Sequence, residues 1–141
     1  MRDAIAAAVL GLTLAQPASQ RFAGTWTADL AGKTFARLEL RETGGTLGGR
    51  VSLGQVHFDP SGEITEVMQT AGELTPIFDV TLRDGTLRFS RKDGDDTDRF
   101  ELRIVNGEAQ LSFVLSEADR AELASQGVAA VKPVRLIRSP R

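Results

Sequence analysis

The chain has 141 residues, a formal charge of −2, no cysteine, no tyrosine and one histidine. That length suits one domain able to bury roughly two-thirds of its unfolded surface. The missing cysteines exclude disulfides, thiolate metal sites, a cysteine nucleophile and lipid attachment through an N-terminal Cys, and the mild acidity leaves no basic footprint for nucleic acid.

Residues 4–15, from Ala4 through Ala15, are uncharged and mostly apolar, and follow Met1-Arg2-Asp3. The run falls short of the ~20 residues that span a bilayer. A positive start, an apolar run of this length and small residues after it predict a secretory signal peptide over residues 1–18. Thr13 and Ala15 form a small −3/−1 pair, and a cut after Ala18 is the alternative. The bland reading is a buried helix opening the domain. On the exported reading, residues 19–141 are the mature domain, periplasmic or extracellular, with no membrane insertion after processing.

From Phe22 to Leu115 the apolar period is two. Leu38 and Leu40 alternate with Arg37, Glu39 and Arg41, and Leu47, Val51 and Leu53 share one parity. Phe78, Val80 and Leu82 alternate with Asp79, Thr81 and Arg83; Leu87 and Phe89 flank Arg88. Phe100, Leu102 and Ile104 are followed by Leu111, Phe113 and Leu115 in the same manner. Such alternation predicts strands with one face in a core and one in water. Gly44-Gly45, Asp59-Pro60-Ser61-Gly62, Asp84-Gly85, Asp93-Gly94 and Asn106-Gly107 separate the runs with hairpin chemistry. Hairpin after hairpin gives an all-β, up-and-down antiparallel sheet of about eight to nine strands. Closing it into a barrel removes the open edges, and a sandwich is the competing architecture.

The period changes once. Ser116 with Asp119 three residues on reads as an N-cap, Ala121, Leu123 and Ala124 follow at helical spacing, and Gly127 fits the position after the end. A helix over residues 116–126 and a last strand, Val134–Arg138, are predicted.

Gly24-Thr25-Trp26 opens the first strand of the mature part. With that motif, the helix before the last strand and Arg138 in that strand, the chain resembles the lipocalin-like (calycin) barrels over residues 22–138. The resemblance implies that Arg138 packs over the Trp26 indole and shuts one end of the barrel. It also implies a small apolar ligand held by inward side chains, with Leu38, Leu40, Phe78, Phe89, Phe100 and Phe113 as its liners. The alternative is a structural or protein-interaction module with a filled interior.

Other motifs carry less. His57 sits in Val56-His57-Phe58-Asp59 with Glu63 and Glu66 nearby, and reads as a solvated side chain on an outer strand face rather than a metal ligand. Asp93, Asp95, Asp96 and Asp98 lack EF-hand spacing and read as a polar hairpin tip. Gly44-Gly45-Thr46-Leu47-Gly48-Gly49 stands between strands, not before a helix, so it is no phosphate loop. Lys132, Arg135, Arg138 and Arg141 read as charges that protect an edge strand. No nucleophile elbow or acid–base constellation is present, so no enzyme, catalytic residue, metal or cofactor is expected.

Overall fold

Two-residue loops set the architecture. Asp84-Gly85 and Asn106-Gly107 both take positive φ at each position, the backbone twist that matches right-handed strands. A computed structural model describes residues 18–139. It begins with helix α1 (Ala18–Phe22) and strands β1 (Gly24–Leu30), β2 (Lys33–Thr43), β3 (Thr46–Leu53), β4 (Gln55–Phe58) and β5 (Ile64–Gln69). There follow β6 (Thr75–Arg83), β7 (Thr86–Asp93), β8 (Asp96–Val105), β9 (Glu108–Val114), α2 (Glu117–Ser125) and β10 (Val134–Arg138). The apolar run read as a leader lies outside the described residues, except that Ala18 opens α1.

Eight strands close into a barrel in the order β1-β10-β9-β8-β7-β6-β3-β2, every pair antiparallel. The sheet therefore closes as a barrel, not a sandwich. β4 and β5 leave it and pair only with each other. The turn Asp59-Pro60-Ser61-Gly62 thus belongs to a separate hairpin inserted between β3 and β6. The helix sits where its cap predicts: Ser116 Oγ accepts from the Asp119 N–H at 3.1 Å.

Inward residues fill the barrel. Trp26, Val51, Leu87, Leu102 and Leu136 have no accessible surface, and Leu38, Phe89 and Leu111 are almost as buried. Eight strands give an interior just wide enough for such side chains. Full burial of each stabilises the fold by roughly 1.5–3 kcal/mol.

One strand breaks its own alternation. Asp79 takes φ 52 and the β6–β7 register shifts between Phe78 and Thr81. Upstream of this bulge Thr75 pairs with inward Val51, so Ile77 faces the core and Phe78, opposite Ser90, faces out. Downstream, Val80 and Leu82 pack against the core. A bulge adds one residue and swaps the faces, as any one-residue register slip must.

Candidate functional site

The barrel has two ends of different construction. At the first, α1 lies across the strand ends with Phe22 buried in the core. The Phe22 carbonyl accepts the Trp26 Nε1–H at 2.9 Å, so the indole's polar edge is satisfied where it is buried. Trp26 and Arg138 are direct register partners across β1 and β10. The Arg138 guanidinium lies 4.4 Å from the Trp26 ring centroid. Its two terminal nitrogens donate to the carbonyls of Ala23 and Arg21, at 2.5 and 2.6 Å. Arg138 thus joins the last strand to the short helix before the first. The glycine of Gly24-Thr25-Trp26 makes this approach possible: a Cβ there would stand 3.0 Å from the guanidinium nitrogen, and its φ is +131°.

The opposite end is the mouth. Helix α2 and the β4–β5 hairpin flank it. The hairpin is pinned at its tip: the Gly62 carbonyl accepts the Lys132 N–H at 3.0 Å, and Lys132 Nζ reaches Glu63 at 3.1 Å. A Cβ on Gly62 would strike the Ala130 carbonyl at 1.7 Å. Asp59 fastens the turn, accepting from the Ser61 hydroxyl and from the N–H groups of Ser61 and Glu63. These donors, the Ser61 hydroxyl first, hold its carboxyl below the ordinary value of 3.8.

Between the hairpin, α2 and the top of the barrel lies an open cleft of about 1060 Å3. Phe35, Phe58, Phe100 and Phe113 border it, with Val56 and Ile64 from the hairpin. A row of rings across three strands runs from the core to the edge of the cleft at Phe113. Phe89 and Phe100 stack at 5.3 Å, and Phe113 meets Phe100 edge-on at 5.8 Å. One step nearer the mouth, Arg91 pairs with Asp98. The Arg91 Nε donates to Asp98 at 3.1 Å, and the guanidinium lies 5.8 Å from the Phe100 centroid.

The six expected liners separate into three groups. Phe100 and Phe113 border the cleft. Leu38, Leu40 and Phe89 lie deeper, packed among core side chains, and fill space rather than line it. Phe78, opposite Ser90, is turned to the outer face by the Asp79 bulge. Sequence reasoning missed Arg91, and placed Asp98 in a polar hairpin tip rather than in a pair with it. The signal was there: Arg91 continues the inward parity of Leu87 and Phe89, and Asp98 that of Leu102 and Phe100.

His57 is exposed on β4 opposite Glu66. The acidic run divides: Asp93 and Asp96 face each other at the hairpin and Asp98 turns to Arg91. Among the described residues no group of three metal-ligating side chains converges. The basic residues near the end of the chain are engaged, Lys132 with Glu63 and Arg135 with Glu108 at 3.3 Å; Arg141 lies outside the described residues.

A second hollow of about 600 Å3 runs along the outside of the β1–β10 seam. Asp29, Glu63, Lys132 and Arg135 border it, with Phe35 as its one ring, so it is a charged surface groove. Comparison of the chain with family models, curated proteins and solved structures finds no match.

Proposed function

We propose that the chain is an exported, lipocalin-like binding protein that holds a small, largely apolar molecule in the mouth of its barrel. The observation that carries the reading is the mouth cleft itself. Its volume of about 1060 Å3 lies just above the usual range of ligand pockets, roughly 300–1,000 Å3, and four phenylalanines border it together with charged side chains of β7, β8 and α2. Export rests on the apolar run of residues 4–15 and the small residues after it. The likeness to calycin barrels rests on Gly24-Thr25-Trp26, on Arg138 over the indole and on the helix before the last strand. The packed lower barrel favours a second reading, an interaction module with no small ligand.

One titration separates the two. N-phenyl-1-naphthylamine, a neutral apolar fluorophore, should brighten and blue-shift on saturable binding, one molecule per chain. Phe113→Arg should abolish the signal while circular dichroism stays unchanged. An absence of saturable binding removes the first reading and leaves the second.

A further inference from the structure

The charges around the mouth cleft are unbalanced. The ionisable side chains bordering it are Arg91, Arg99, Asp96, Asp98, Asp119 and Glu122. Arg91, the cation on the inner side, is already engaged by Asp98 at 3.1 Å and its side chain is only 15% exposed. Arg99 belongs to the outer parity of β8, opposite Ser90 and Val114, and is the one further cation at the border, against three carboxylates. Three exposed carboxylates remain on the rim: Asp96 at the start of β8, and Asp119 with Glu122 on α2. Asp119 and Glu122 are three residues apart and so share one face of the helix.

We infer, building on the binding site proposed above, that the molecule taken by the mouth is an amphipathic organic cation. The site is the cleft; the charges choose among the ligands that fit it. An apolar body lies against the half-buried Val56, Phe58 and Phe113, and an ammonium head sits at the acidic rim. The negative quadrupole of each ring face attracts that head as well. A cleft with low-dielectric walls concentrates the field of like charges at its edge. An anionic head meets the opposite field. To reach Arg91 it must displace Asp98, which leaves that carboxylate unpaired in a half-buried site.

Calorimetry with three probes of one chain length tests this: octyltrimethylammonium, 1-octanol and octanoate. At low salt the cation should bind tightest and octanoate weakest, with about tenfold or more between them. High salt should narrow the gap. Asp119→Asn/Glu122→Gln should weaken the cation about fivefold and leave 1-octanol unchanged. Both side chains are exposed and the Ser116 cap uses the Asp119 backbone N–H, so the helix keeps its start. Octanoate binding as tightly as the cation, or no response to the double variant, overturns the inference while 1-octanol binding keeps the mouth as a site. No heat with any probe removes the site and the inference together.

Discussion

The guanidinium of Arg138 lies over the one tryptophan of the chain, Trp26, 4.4 Å from its ring centroid, while donating to the carbonyls of Arg21 and Ala23. One side chain thus closes the barrel seam and satisfies the end of a helix too short to hold itself.

Arg138→Ala should therefore cost more than an ordinary surface substitution. The ring contact is worth about 0.5–2 kcal/mol. The two carbonyl contacts add to it, discounted because the side chain is largely exposed. A loss of about 1–3 kcal/mol in urea unfolding is expected. Arg138→Lys should recover only part of it, because an ammonium is compact and strongly hydrated and lacks the planar fork that reaches both carbonyls from over the indole. Trp26 emission reports the change directly. Equal stability of Arg138→Lys and the parent chain would contradict the bidentate role.

Gly24→Ala should destabilise the same end by a different route. The backbone there sits at φ +131°, and the new Cβ would press on the Arg138 guanidinium at 3.0 Å. Strain of this kind costs about 1–3 kcal/mol. Combining Gly24→Ala with Arg138→Ala should cost less than the sum, since the second change removes the group the first collides with. A fully additive double-mutant cycle would show that the two do not interact.

The β4–β5 turn carries a pH signature. The Asp59 carboxyl is held below its ordinary value of 3.8, chiefly by the Ser61 hydroxyl. A depressed folded value means the turn is favoured at pH above the unfolded value and loses that contribution as pH falls through the folded one. Titration of the Asp59 carboxyl carbon by NMR should show a midpoint below that of a free aspartate. Ser61→Ala should move it upward, and an unchanged midpoint would show that the Ser61 hydroxyl does not act on Asp59.

Export has its own test. Intact-mass analysis of protein recovered from the secreting cell should show loss of about 15–18 residues, matching a cut after Ala15 or Ala18. The second cut would remove the first residue of α1 and spare Ser19 and Phe22, the two residues that helix buries. A full-length product retained in the cytoplasm would contradict export.

The strand pattern was legible because alternation and hairpin dipeptides agree: Phe100, Leu102 and Leu111 face inward as their spacing requires, and Asn106-Gly107 turns the chain between them. The last helix was legible from Ser116 alone with its spacing. Three things were not. The bulge at Asp79 has no glycine or asparagine to announce its positive φ, so Phe78 reads as inward. Helix α1 has five residues, too few for a period, and exists through contacts with Arg138 and Trp26 from distant sequence. The β4–β5 hairpin shows the same turn chemistry as the barrel hairpins, and only tertiary pairing reveals that it leaves the sheet. The mouth site suffers most from this, since one side of its wall, with Val56, Phe58 and Ile64, comes from that hairpin and its polar pair occupies inward positions near strand ends.

Two phenylalanines separate the mouth from the core, and the same substitution should act on them in opposite ways. Phe89 is 1% exposed and stacked on Phe100. Phe89→Arg would place an unpaired charge among core side chains, where desolvation costs several kcal/mol, comparable with the total stability of a small domain. It should yield an unfolded or insoluble product. Phe113 sits at the end of the same row but is only half-buried beside the cleft. An arginine there can extend its head to solvent along its apolar stem, so Phe113→Arg should fold, with a loss of about 1–2 kcal/mol. Binding of N-phenyl-1-naphthylamine should nevertheless disappear, because the ring that walls the cleft is gone and a charge stands at its edge. Circular dichroism and Trp26 emission check the fold of each variant, and the fluorophore checks the mouth. A folded Phe113→Arg that binds the probe as the parent chain does would place the ligand elsewhere.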